Sequence, residues 1–321
     1  GRLGTCTQEF GSVASWLVDV LNALTGHLDA EGGAMWPKAA AFARNTEGRP
    51  GSGGGITTGR HRSRVSGAPE VFGELPITLL AEEIETPGPG QVRALITAAS
   101  NPVLSSPGGE RLARALDTLD LMVSIDIYLN ETTRHAHVIL PGASPLEDGH
   151  WDVAFPQLSV RNHARYSPPV LARPTGALPE WQILLKLAGI ATGRGAGCDP
   201  VALDDERVAA DVDKLAGPQA AAVLAAVSRW QGPERLLDLS LRAGPYGDRF
   251  GLKPEGLNLE KVAAAPGGID LGPLQPRLPE LLRTPSGRVE LAPPVLLDDL
   301  ARARRVLDAP VPDLVVIGRR E

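Results

Sequence analysis

Cysteine is nearly absent from this sequence. The 321-residue chain has two, Cys6 and Cys198, far apart and outside any CxxC pair. That excludes a disulfide framework and leaves a four-cysteine iron–sulfur or zinc site without ligands. Both thiols read as small buried apolar side chains, and such sparse usage implies a reducing, cytoplasmic setting. Long apolar runs are also absent: none reaches the ~18 residues of a bilayer-spanning helix, so no membrane segment is expected. No basic, apolar and small-residue succession marks a secretory leader, although the chain opens on Gly1 and its true N-terminus is expected upstream. A basic surplus is lacking as well, since the formal net charge is −6, which argues against a nucleic-acid partner. GxGxxG, GxxxxGK[ST], HExxH and GxSxG motifs do not occur.

The 43% apolar content is enough for a buried core. Between Val13 and Thr25, apolar residues at Val13, Trp16, Leu17, Val20, Leu21 and Leu24 follow helical spacing with one buried face, and Gly26 ends the run. A glycine- and proline-rich tract from Arg49 to Gly59 reads as a surface loop. The basic run from Arg60 to Arg64 is either a solvated loop or the border of a pyrophosphate site, where arginine forks would meet phosphate.

From Gln91 onward the pattern alternates. Val92–Ala99 predicts a strand buried on both faces, followed by the turn Ser100-Asn101-Pro102 and a helix around Glu110–Leu116. Leu121–Asp126 predicts a second strand, Asn130–His135 a short helix, and His137–Pro141 a third strand. This succession predicts an α/β fold, a Rossmann-like parallel sheet flanked by helices. Such sheets bind ligands at the carboxyl ends of their strands, where Asn101, Asp126 and the loop after Leu140 fall. Helices are predicted from Glu180 to Thr192, around Asp204–Trp230 and over Glu234–Arg242, as packing elements without a ligand cluster. Arg283–Leu291 predicts a turn followed by a strand, and Leu314–Glu321 a final strand cut short. His135, His137 and His150 lie on alternating and separated positions that give no convergent metal geometry.

Two blocks, Gly4–Met35 and Val92–Asp152, resemble the large subunit of the molybdopterin-dependent oxidoreductases, the formate dehydrogenase and nitrate reductase family. The resemblance rests on the Asn-Pro pair after the first strand, the Asp-x-Tyr-x-x-Glu/Thr-Thr-like stretch after the second, and Ile-Leu-Pro followed by acidic residues. RLPELLRTPSGRVEL resembles the segment by which that family enters its C-terminal cofactor domain. The chain is accordingly expected to be an internal fragment. Its divisions would be 1–75, a helix and Gly-rich portion; 76–192, the α/β dinucleotide-binding portion; 193–275, a helical insertion or connector; and 276–321, the start of a truncated C-terminal domain.

The resemblance implies molybdenum or tungsten held by two molybdopterin guanine dinucleotides, a small-molecule substrate and a redox partner protein. It implies cofactor-binding roles for Ser100, Asn101 and Pro102, whose turn would offer backbone N–H groups to a pyrophosphate but could equally be an ordinary strand-to-helix turn. Asp126 would accept hydrogen bonds from guanine, or act as a helix N-cap. Asn130 and Thr132 would line the same pocket, with Glu147 and Asp148 near it or simply solvated. A 4Fe-4S cluster and the protein ligand to the metal are expected upstream, so no catalytic residue and no metal ligand is assigned in this chain. Formate dehydrogenases carry an arginine shortly after the first helix; Met35–Ala39 here has none, which lowers formate as the substrate. A non-catalytic relative such as the complex I large subunit, or an inactive truncated product, is the alternative.

Overall fold

The computed structural model describes residues 5, 8–42, 48, 51–53, 58–71, 73–307, 309–311 and 313–314. Cys6, Gly54 and Gly55 of the glycine-rich tract, and the apolar tail beyond Leu314 lie outside the described residues.

Helix α1 (Gly11–Leu24) forms where its spacing predicts, and Gly26 at φ +75° ends it. Its burial differs from expectation. Val13 is buried, but Leu17, Leu21 and Leu24 are exposed, because no described element covers that stripe. The basic run is no loop: β1 (Thr58–Arg62) pairs antiparallel with β2 (Pro69–Val71).

A short α2 (Leu80–Glu85) precedes the parallel unit. It contains β3 (Ala94–Ala98), α3 (Pro102–Ser105), α4 (Gly109–Leu116), β4 (Leu121–Ile125) and β5 (Val138–Leu140). Register runs from Ala94 opposite Leu121 to Ala98 opposite Ile125, and from Val123 opposite Val138 to Ile125 opposite Leu140. Strand order is β3-β4-β5, so β4 is central and its Met122–Ile125 are all buried. The expectation that the first strand is buried on both faces fails: β3 is an edge strand and Ile96 is 56% exposed. On the opposite face Ile84, Leu112, Leu116 and Met122 close a core between the sheet and the α2–α4 pair. Each such side chain contributes ~1.5–3 kcal/mol through burial. The helix expected at Asn130–His135 is only a 3-10 turn over Thr133–His135.

Beyond this unit, β6 (Arg161–Ala164) precedes α5 (Glu180–Ala191), α6 (Pro200–Ala216), α7 (Ala220–Val227), α8 (Gly232–Ala243) and α9 (Leu259–Ala263). The helical stretch expected over 204–230 is broken between α6 and α7. There Gly217 takes φ +51° and Pro218 has no N–H to continue the ladder. Asp199 caps α6 by accepting from the Val201 N–H at 3.0 Å. β7 (Ile269–Pro273) pairs antiparallel with β6, and these strands share a core with α8 and α9 built on Ala164, Tyr166, Leu241 and Leu259. Two helices follow, α10 (Leu278–Leu281) and α11 (Pro294–Leu307).

Arg283–Leu291 keeps its turn but forms no strand. Its carbonyls are engaged one at a time: Gly53 N–H donates to Arg283 O at 3.0 Å, Gly51 N–H to Thr284 O at 3.1 Å, and Trp16 Nε1 to Leu291 O at 2.9 Å. No neighbouring strand among the described residues offers it a ladder. Cys198, expected buried, is partly exposed at the foot of α6.

Candidate functional site

Parallel strands end together on one edge of the sheet, and β3 and β4 deliver Asn101 and Asp126 there. Ala99 leaves β3 at φ +45°, a left-handed conformation that costs a residue with a Cβ about 1 kcal/mol or more. Its N–H still donates to Ile125 O at 2.9 Å, so the turn stays tied to β4 as it rises. Ser100 is exposed, Asn101 half-buried, and Pro102 buried at the first position of α3, where its missing N–H has no consequence. Among the described residues the Ser100 and Asn101 N–H groups have no backbone acceptor.

The Asn101 side chain does not cap α3. Its Nδ2 donates to Glu131 Oε2 at 2.6 Å, and its Oδ1 accepts from Thr132 Oγ1 at 2.7 Å. Thr132 is fully buried, and the same hydroxyl accepts from the Val103 N–H at 3.0 Å. The Glu131 carboxyl is held below its ordinary range, chiefly by the Asn101 amide. Asp126 Oδ1 accepts from the Tyr128 N–H at 2.9 Å and Oδ2 from Asn130 Nδ2 at 3.2 Å. Asn130 Oδ1 in turn accepts from the N–H groups of Thr132 and Thr133, both at 2.9 Å. Asp126 and Asn101 are therefore joined through Asn130, Glu131 and Thr132 into one hydrogen-bonded edge. Asp126 caps a turn, and each of its oxygens retains a lone pair. Glu131 was not among the expected site residues; its signal was its place as the glutamate of the Asp-x-Tyr-x-x-Glu stretch.

The remaining predicted residues sit elsewhere in the hydrogen-bond pattern. Glu147 closes its own turn, accepting from the Ser144 N–H at 2.9 Å, and Asp148 is paired with Arg173. Neither bonds to the Asn101–Asp126 edge. His135 pairs with Asp117 at 2.6 Å, His137 Nδ1 accepts from the Met122 N–H at 3.0 Å, and His150 bridges the backbone of Ser167. Among the described residues no group of three or more His, Cys, Asp or Glu side chains could hold a metal ion. The basic run is internally matched. Arg60 pairs with the buried Glu70, Arg62 donates to Gly67 O at 2.7 Å, and Arg64 meets Glu83 at 3.3 Å and Thr86 O at 2.7 Å. With each of these arginines matched by a carboxylate or a carbonyl, that hairpin is a structural element.

Met35–Ala39 contains no arginine, yet one reaches it from far along the chain. Arg277, 6% exposed, donates from Nη1 to Pro37 O at 3.2 Å. Its backbone is anchored by Asp29, whose carboxylate accepts from the N–H groups of Arg277 and Leu278. Asn162 fixes the same segment by accepting from the Lys38 N–H at 2.7 Å while donating to Pro273 O at 3.2 Å. No local pattern signals these pairings, which span more than a hundred residues.

A family model described as molybdopterin oxidoreductase matches residues 4–190, ending where α5 ends. The assimilatory nitrate reductase catalytic subunit of Bacillus subtilis (strain 168) is 35% identical over 115 residues, 36% of this chain and 15% of that protein. The F420-dependent formate dehydrogenase 1 subunit alpha of Methanococcus maripaludis is 35% identical over 99 residues, 30% of this chain and 14% of that protein. The NADPH-Fe(3+) oxidoreductase subunit alpha of Geobacter sulfurreducens is 33% identical over 119 residues, covering 36% and 13% respectively. The chain thus aligns with only a small part of the length of these relatives. No helix among the described residues is long and apolar enough to cross a membrane.

Proposed function

The chain belongs to the molybdopterin oxidoreductase family, and on that premise we propose that its β3–β4 edge holds part of a bis(molybdopterin guanine dinucleotide) cofactor. The observation that carries this reading is the single hydrogen-bonded edge formed by Asn101, Asp126, Asn130 and Thr132 at the carboxyl ends of adjacent parallel strands. That is where an open α/β sheet takes a nucleotide. The residues fit such a ligand. The Ser100 and Asn101 N–H groups, which have no backbone acceptor among the described residues, suit a pyrophosphate, and Asp126 is a carboxylate acceptor suited to the paired donors of guanine. Pro102 keeps α3 close under the turn, and Glu131 holds the Asn101 amide in orientation.

When bound, such a cofactor supplies two-electron redox or oxygen-atom transfer at molybdenum or tungsten. This chain's part is to bind and orient the dinucleotide within a larger oxidoreductase acting on a small-molecule substrate with a redox partner protein. Residues 76–192 form the dinucleotide-facing unit and 1–75 the adjoining helix and Gly-rich portion. Residues 193–275 are a helical connector, and 276–321 lead towards a further cofactor domain. A four-cysteine 4Fe-4S cluster would draw its ligands from elsewhere in the whole protein, because this sequence has two cysteines. Glu147 and Asp148 lie outside the hydrogen-bonded edge, so any influence they have on the cofactor is indirect. We place the protein in the cytoplasm on its low cysteine usage.

The test is cofactor occupancy. Asp126→Ala and Asn101→Ala should each lower the guanine nucleotide released by acid treatment and the molybdenum or tungsten measured in the purified protein. Full occupancy in Asp126→Ala would reduce that carboxylate to a turn cap.

A further inference from the structure

A cavity of about 260 Å³ lies away from the strand-end edge, between the turn at Gly149–Val153, Tyr166 and the first turns of α8. Three aromatic side chains, Phe42, Trp151 and Tyr166, wall it, and Glu234 lines it with a carboxylate. α8 lies beyond the stretch matched by the family model, so this cavity combines matched and unmatched parts of the chain.

Its walls are held by specific local devices. Phe42 takes φ +53°, a conformation bulky residues avoid. Its N–H donates to Ser240 Oγ at 2.7 Å and its carbonyl accepts from Gln157 Nε2 at 3.3 Å, which together fix the backbone that carries the ring. Tyr166 Oη donates to Glu234 Oε1 at 3.2 Å across Gly149. A Cβ at Gly149 would lie 2.0 Å from that hydroxyl and 2.9 Å from that carboxylate oxygen, so only glycine lets the two meet there. Burial, and then the Glu234 charge, push the Tyr166 hydroxyl pKa up, so the phenol stays neutral as a donor. Asp148, the other acid that Tyr166 senses, is neutralised by Arg173, whereas no cation among the described residues lies within ion-pair distance of Glu234. The Trp151 Nε1–H is buried without an acceptor among the described residues.

We propose that this cavity binds a small alkylated ammonium cation. Aromatic faces carry negative quadrupole charge and attract a cation most strongly where water is excluded, and an uncompensated carboxylate adds direct attraction. Such walls suit a weakly hydrated quaternary ammonium. They do not suit a metal ion, for which the lining offers only His150 and Glu234 of the His, Cys and carboxylate side chains, short of a group of three, or an anion, which Glu234 repels. The orphaned indole N–H favours a ligand that brings an acceptor oxygen beside its cationic head.

Isothermal titration calorimetry of the full chain with choline chloride tests this, alongside its uncharged carbon isostere 3,3-dimethylbutan-1-ol. Saturable choline binding, with the isostere weaker by about tenfold or more, is the expected result. Glu234→Gln should weaken choline by a similar factor, and Trp151→Leu should weaken it too. No saturable binding of choline, or equal affinity for the neutral isostere, would overturn the proposal. The isostere comparison uses the unaltered chain and so decides the matter even where a variant fails to fold. The cofactor reading stands or falls independently, since neither Asn101 nor Asp126 touches this cavity.

Discussion

Replacing Thr132 by valine removes one buried hydroxyl and almost nothing else. That oxygen donates to Asn101 Oδ1 at 2.7 Å and accepts from the Val103 N–H at 3.0 Å. Valine keeps the shape, so the change leaves little cavity; the loss is two hydrogen bonds and a stranded backbone donor. An unsatisfied buried polar group costs ~1–3 kcal/mol. Val103 and Asn101 are both half-buried, so water relieves part of that, and the expected destabilisation is about 2 kcal/mol. Serine is the control: it retains both hydrogen bonds and removes one buried methyl, at about 1 kcal/mol. Urea unfolding should order the proteins wild type, Thr132→Ser, Thr132→Val, and hydrogen exchange at the Val103 amide should quicken about thirtyfold in the valine variant. With Asn101 then held by Glu131 alone, guanine nucleotide occupancy should fall in the valine variant more than in the serine one. If Thr132→Val proves as stable as Thr132→Ser and the Val103 amide keeps its protection, the hydroxyl is not the anchor and the account of this edge is wrong.

Acid should loosen the β1–β2 hairpin through Glu70. Its carboxyl is lowered from 4.5 to about 2, first by the Arg60 guanidinium. A depressed carboxyl stabilises the folded state above its unfolded value, and that contribution is lost as pH falls from about 4.5 towards 2. Near-neutral stability should drop in Glu70→Gln while this part of the acid sensitivity disappears; an unchanged acid profile in the variant would contradict it. In the helical layer, buried Asp204 pairs with buried Arg235 and accepts from the Gly232 N–H at 2.8 Å. Asp204→Ala leaves that guanidinium with only the exposed Asp205 and should destabilise by about 3 kcal/mol, read from urea unfolding. A loss under 1 kcal/mol would mean Asp205 alone suffices.

Much of the scaffold is legible in the chain itself. Helical spacing locates α1, α4, α5 and α8, and Gly26 and Gly244 close the first and last of them, whereas the break at Gly217-Pro218 falls inside a stretch expected to be helical. The strand–helix–strand order implies parallel pairing, and with it the rule that Asn101 and Asp126 reach the same edge. These features depend on backbone preferences and side-chain periods within a few residues of each position. Strand order does not. That β3 is an edge with Ile96 exposed follows from which strand lies between the others, and no local pattern records it. The same holds for Arg283–Leu291, whose alternation suits a strand that finds no partner among the described residues. Charged side chains depend on tertiary partners most of all. The arginines of the 60–64 run are matched because Glu70, Glu83 and backbone carbonyls meet them. Asp148 is committed to Arg173, and an arginine reaches Pro37 from position 277. Local sequence determined which residues stand at the strand ends. Packing across the chain decided which of those polar groups are tied together, which are neutralised, and which are left to meet a ligand.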